Sequence, residues 1–170
     1  MKEVIIIFVC FFVLRLVSLG ISIKNEKRIK EMGGIQYGKF NSMLLTFAHV
    51  SFYFLCLFEA IRNEHFSLDF TSKIGVALLV FAYLMLFYVI YQLKEIWTLK
   101  IYILPNHKIN KSFLFKWVKH PNYFLNILPE LVGIALLCKA YTTLCVMLPI
   151  YAVVLAIRIR QEEAAMKHLV

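Results

Sequence analysis

An all-α bundle of about five membrane-crossing helices is predicted by three features of the sequence. They are apolar runs of spanning length, a scarcity of charge, and a one-sided distribution of Lys and Arg. Apolar residues make up 61% of the 170-residue chain and charged residues 17%. A soluble domain holds roughly 45–50% and about 25%. The runs are continuous rather than amphipathic, so they face lipid or one another and not water.

The first run is Val4–Ile23, interrupted by Arg15, Ser18 and Ser22. The second is Met43–Ile61 and the third Ile74–Leu93. Each has about the 20 residues that cross a hydrocarbon core of ~30 Å. The region Tyr123–Ile157 is about twice that length, and Lys139 beside Tyr141-Thr142-Thr143 divides it near its middle. It therefore reads as a tight hairpin of two helices. Lys2 ahead of the first run fits the start of a signal peptide. That run is long for a signal core, however, and no small-x-small site follows it, so it is read as a retained helix.

Basic residues orient the bundle. Lys24, Lys27, Arg28, Lys30 and Lys39 lie in the first loop. Lys94, Lys100, Lys108, Lys111, Lys116 and Lys119 lie in the third, and Arg158, Arg160 and Lys167 in the tail. The opposite side has Lys2, Arg62, Lys73 and Lys139. Five spans put the larger set together in the cytoplasm, with the N-terminus outside and the C-terminus inside. The net charge of +9 is largely this bias and does not point to nucleic acid. Cys10, Cys56, Cys138 and Cys145 all fall in apolar runs without a C-x-x-C pair. They read as buried apolar thiols rather than disulfides or zinc ligands.

The two larger loops differ. Loop 24–42 is charged, with turns at Gly33-Gly34 and Gly38. Its first half either extends the first helix or lies along the headgroups. Loop 94–122 carries Trp97, Tyr102, Phe113, Phe115 and Trp117, with two His and two Pro. It is long for a connection and too aromatic for disorder, so it should fold against the bundle. The competing reading is an interfacial aromatic belt.

Ionisable groups at membrane depth are costly and face a bundle interior or a cavity. Arg15, Glu59, Glu130 and Arg158 are such groups. Arg15 can snorkel toward the interface, and Glu59 at the outer end of its run can reach water. Glu130 lies deeper, beside Pro129, which frees a carbonyl and kinks the helix. A kinked entry with a buried carboxylate fits the deep end of a lined cavity. In the tail, Arg158 and Glu162 share a helix face, as do Arg160 and Glu163. His107 and His120 are thirteen residues apart, which is not a spacing for two ligands on one helix, and no H-x-x-x-H occurs. No metal site is expected. His49 reads as a satisfied interhelical histidine. No P-loop, G-x-G-x-x-G or G-x-S-x-G is present.

Three segments carry a family resemblance: H-x-I at 107–109, KHPNY at 119–123 and RIxxEE at 158–163. Together they resemble the isoprenylcysteine carboxyl methyltransferase family, small integral-membrane enzymes that use S-adenosylmethionine. The first half, with its charged loop ahead of a helix ending near Glu59, looks like a bacterial branch of that family. Some of that branch methylates alkylpyrone or alkylresorcinol-type lipids. Lys119 stands where the family has Arg, Phe113 and Phe115 where Gly and Tyr are common, and Leu125 where Gly follows Tyr-x.

The resemblance implies one domain over 1–170. Residues 1–93 would supply three spans, and 94–170 the cofactor-binding loop, hairpin and C-terminal helix. It implies that His107, Ile109, His120, Pro121, Asn122, Tyr123 and Glu162 line a cytoplasmic S-adenosylmethionine site. Arg158 would orient the acceptor, with Trp97 beside it. Methyl transfer needs alignment and electrostatics rather than a covalent nucleophile. An acceptor carboxylate needs no base, whereas an enol or phenol would draw on Glu162, Glu130 or His120. The expected partners are a lipophilic acceptor and the bilayer, with neither nucleic acid nor metal. The acceptor oxygen and the oligomeric state stay open. The competing reading is a transporter or scaffold that uses Glu59, Glu130 and Arg15 as a polar path without methyl transfer.

Overall fold

The computed structural model describes residues 2–105 and 118–167. Five helices dominate the described residues: α1 (Glu3–Glu31), α2 (Lys39–Arg62), α3 (Phe70–Leu93), α4 (Leu128–Cys138) and α5 (Tyr141–Met166). Two three-residue strands, β1 (Ile35–Tyr37) and β2 (Ile101–Ile103), pair antiparallel with Gln36 opposite Tyr102. The all-α polytopic bundle is as expected, and the chain is a multi-pass membrane protein. Outward faces carry Ile6, Phe47, Phe54, Phe58, Leu84, Tyr91 and Val153, all exposed. The interior is Phe8, Phe52, Leu79, Leu86, Leu131, Ile134, Leu137 and Leu155.

Among the described residues four helices, α1, α2, α3 and α5, have the length and apolarity of membrane spans, while a shorter apolar helix covers Asn122–Cys138. That falls short of the roughly 20 residues of an independent span. The expected hairpin of two helices is present, with a first arm shorter than the second. The short helix is viable because it lies inside the bundle: Glu130, Leu131, Gly133, Ile134, Ala135, Leu137 and Cys138 are all buried.

Small residues let α3 and α4 approach closely, the device by which membrane helices pack without a hydrophobic driving force. A Cβ on Gly75 would stand 2.7 Å from the Gly133 carbonyl and meet the Leu137 amide. The division at Lys139 is as expected. Lys139 takes a left-handed conformation with φ 50° and ends α4, two residues before α5 begins. Its ammonium pairs with Asp69, which also caps α3 by accepting from the Ser72 amide at 2.8 Å. The Lys139 ammonium is the main cause holding the Asp69 carboxyl below its ordinary range, and Asp69 in turn raises Lys139.

The bundle has two ends. At one, the Leu68 amide donates to Glu3 at 3.2 Å. There Glu59 also accepts from the Thr142 and Thr143 amides at 3.1 and 3.0 Å. A carboxylate at a helix N-terminus is stabilising, so Glu59 serves as the cap of α5. At the other end lie the β ribbon, the C-terminal half of α5 and the last three turns of α1. Of the two readings for 24–32, extension of the helix is the one realised, since α1 continues to Glu31.

That extension holds the third loop down. Asn25 donates to the carbonyls of Lys94 and Trp97 at 3.0 and 2.8 Å. The Leu99 amide donates to Ser22 at 2.9 Å, and Lys100 reaches Glu26 at 2.6 Å. Ser18, Ser22, Asn25 and Glu26 form a buried polar stripe at helical spacing. The described first part of the loop, 94–105, therefore folds on the bundle, and Trp97, only 2% exposed, is not part of an interfacial belt. Of the thiols, Cys56 and Cys138 are buried as expected, whereas Cys10 and Cys145 face outward.

Candidate active site

Beneath the ribbon a cavity of about 460 Å³ opens among α1, α2, α5, loop 96–103 and the start of the short helix. Small-molecule sites span roughly 300–1,000 Å³. Seven of the expected site residues line it: Trp97, His120, Pro121, Asn122, Tyr123, Arg158 and Glu162. His107 and Ile109 lie outside the described residues, as do Phe113 and Phe115.

The entry to α4 is a π-helical turn over Asn122–Ile127. The Leu128 amide reaches back five residues to the Tyr123 carbonyl. Pro129 explains why this register is tolerated, because the next residue has no N–H to place. The sequence suggested a kink at Pro129; the structure relieves the strain one turn earlier, by widening. Such π turns are frequent at functional sites. Here the turn brings His120 and Tyr123 together, their rings stacked with centroids 5.6 Å apart.

Arg158 is 2% exposed. It donates from Nε to the Tyr123 hydroxyl at 3.3 Å, from Nη1 to Ser42 Oγ at 2.5 Å and from Nη2 to the Leu99 carbonyl at 2.9 Å. All three acceptors are neutral. The expected side-by-side Arg158–Glu162 pair is not formed. Instead the Tyr123 hydroxyl sits between them, donating to Glu162 Oε2 at 2.5 Å. Glu162 Oε1 has no hydrogen bond among the described residues. Glu163 likewise pairs not with Arg160 but with Lys119, at 2.7 Å. Lys119 thus works as an exposed ion-pair partner, a role a compact ammonium fills without a planar fork.

His120 Nδ1 is 3.7 Å from Glu162 Oε2 and Nε2 is 3.4 Å from Glu163 Oε1. The first distance is too long for a hydrogen bond, so Glu162 acts there as a charge. Glu162 is the leading cause that raises the His120 pKa above its ordinary value, burial opposes it, and Glu163 adds to the rise.

Glu130 stands behind the cavity wall and does not line it. Arg15 makes a two-point contact with its carboxylate, with Nε at 2.9 Å from Oε1. The hydroxyls of Tyr53 and Tyr83 donate to Oε1 at 2.5 and 3.1 Å. His49 Nε2 lies 3.4 Å from the same oxygen. Arg15 therefore does not snorkel; it turns inward to a fully buried partner. Glu59, at the far end of the bundle, caps α5 and is not part of this cluster, so the polar path of the competing reading is not favoured. Sequence reasoning missed Ser42, His49, Tyr53 and Tyr151 as lining residues. The only signals were polar groups in apolar runs, at Arg15 and His49. Among the described residues no group of three His, Cys, Asp or Glu could hold a metal ion.

Comparison with known proteins places the chain in a family. The family model for the isoprenylcysteine carboxyl methyltransferase (ICMT) family matches residues 75–168, which include the π turn, α4 and α5. An uncharacterized protein of Haemophilus influenzae is 60% identical over 164 residues, covering 96% of this chain and 95% of the relative. The uncharacterized protein YpbQ of Bacillus subtilis is 29% identical over 155 residues, 90% of each. No solved structure matches. The chain belongs to the isoprenylcysteine carboxyl methyltransferase family and is a membrane methyltransferase.

Proposed function

We propose that the protein transfers a methyl group from S-adenosylmethionine to an oxygen of a lipophilic acceptor, in a cavity facing the cytoplasm. The observation that carries this reading is Arg158: a buried guanidinium on the cavity wall, held by three neutral acceptors and paired directly with no carboxylate among the described residues. A buried cation without an ionic partner is costly, and an acceptor oxyanion would supply that partner. The basic residues gathered at the ribbon end support a cytoplasmic orientation by the positive-inside rule.

The cofactor would bring an electrophilic methyl on a sulfonium. The chain's own residues would then align, desolvate and balance charge. Glu162 offers its Oε1 to a cationic group, while Tyr123 and His120 fix the carboxylate from the other side. His120 Nδ1 and Trp97 Nε1 are buried without a hydrogen-bond partner among the described residues, which suits a site completed by a polar ligand. His107 and the backbone near Ile109 would complete it, with Pro121 and Asn122 shaping the π turn. Arg158 holds the acceptor oxygen, and Trp97 closes the cavity against water. The acceptor is a carboxylic acid, an enol or a phenol. For the last two, Glu162 or His120 is in reach of the cavity as a base. Glu130 is fully engaged and acts as a positioning residue for Arg15.

The test is titration of the purified protein with S-adenosylmethionine, together with Arg158→Ala. Saturable binding is expected, with transfer lost and cofactor affinity largely kept in the variant. Absence of binding at millimolar cofactor would end the proposal, and normal turnover in Arg158→Ala would remove its role for Arg158.

A further inference from the structure

The cavity continues past Arg158 to a second polar level. On α2, Ser42, Thr46, His49 and Tyr53 recur at intervals of four, three and four residues, which aligns them on one helix face. All four line the cavity. Arg158 donates to Ser42 and Tyr151 meets His49, so antiparallel α2 and α5 face each other in register at both contacts. The two levels are seven residues apart on each helix, about 10 Å along the axis.

Hydrogen-bonding capacity at the second level is only partly used. His49 Nδ1 is 3.4 Å from the Tyr151 hydroxyl and Nε2 is 3.4 Å from Glu130 Oε1. Both exceed the usual range of roughly 2.7–3.2 Å. Tyr151 is 2% exposed, and its hydroxyl has no other partner among the described residues. Arg15, on the same wall, spends Nε and Nη2 on Glu130. A plain alkyl or prenyl tail lying here would cover these groups and match none of them, at a desolvation cost. Around them the wall is apolar, with Phe12, Leu16, Leu45 and Val50.

The geometry points to an acceptor with two polar groups: one held by Arg158, and a mid-chain hydroxyl or carbonyl about 10 Å deeper, read by His49 and Tyr151. This rests on the reading of Arg158 as the site of the acceptor's oxygen. The protein would thereby distinguish an oxygenated lipid from an unsubstituted prenyl or alkyl chain.

The test compares stearate, 10-hydroxystearate and an isomer hydroxylated beside the carboxylate, with the expected gain taken from the worth of one hydrogen bond. Binding to the full chain in detergent is read by competition with a brominated stearate that quenches tryptophan fluorescence; Trp97 lines the cavity. The mid-chain hydroxyl should tighten binding roughly three- to tenfold over stearate, and the isomer should not. That ratio should fall to near one in His49→Phe and in Tyr151→Phe. Stearate binding that is weakened by Arg158→Ala, with no preference for the mid-chain hydroxyl, would overturn this inference and leave the methyltransferase reading standing. The same holds for a preference that survives both variants. No stearate binding, or binding indifferent to Arg158→Ala, would remove the Arg158 anchor and the inference with it.

Discussion

Replacing Glu130 by Gln removes one partner of a buried ion pair while keeping nearly the same volume. Glu130 is 0% exposed and accepts from Arg15, Tyr53 and Tyr83. The substitution leaves the Arg15 guanidinium without a counter-charge and turns one carboxylate oxygen into an amide donor facing donors. Breaking a buried pair from one side costs about 3–5 kcal/mol. The Arg15 side chain borders the cavity and can move partly toward it, so the lower half of that range, about 3 kcal/mol, is expected. Reversible denaturant unfolding in mild detergent would measure it. The pair Arg15→Met, Glu130→Gln removes both charges and should lose less than the sum of the single variants, with a coupling of about 1–3 kcal/mol. A Glu130→Gln protein within 0.5 kcal/mol of the parent, or singles that simply add, would refute the buried pair as a support of the fold.

Other consequences follow from particular contacts. Gly75→Val would drive a side chain into the α4 backbone and should cost about 3 kcal/mol or prevent folding, seen as loss of a monodisperse peak in size-exclusion chromatography. Glu59→Gln weakens the cap of α5 and should lower stability by about 1 kcal/mol, read in the same denaturant titration. His120 has a folded-state pKa raised above its unfolded value, chiefly by Glu162. Its contribution is therefore fully present below the unfolded pKa near 6.5 and is lost as the pH rises through the folded value. A His120→Gln variant should flatten stability against pH in that window, and an unchanged slope would show that His120 is not coupled to Glu162.

The spans were legible because hydropathy over about 20 residues is a local property. The division at Lys139 was legible for the same reason. The proximity of His120, Tyr123, Arg158 and Glu162 was implied by the family resemblance of their motifs. Pairings across the bundle were not. Nothing near Arg15 says that its partner is Glu130, 115 positions away, and snorkelling was an equally sound local solution. The β ribbon escaped because three-residue strands are too short for an alternating pattern. The π turn escaped because Pro129 announces a break without saying where the backbone absorbs it. The Tyr123 bridge between Arg158 and Glu162 reversed a simple i, i+4 expectation, since a third side chain offered both groups a partner at once.

The central claim is methyl transfer in this cavity, and labelled transfer tests it most directly. Purified protein is incubated with S-adenosylmethionine carrying a labelled methyl group and a lipid extract, and the organic phase is analysed by mass spectrometry. The account predicts one labelled lipid class with the parent protein and none with Arg158→Ala. Protein that binds the cofactor yet transfers no label to any lipid, or equal labelling by the variant, would contradict it.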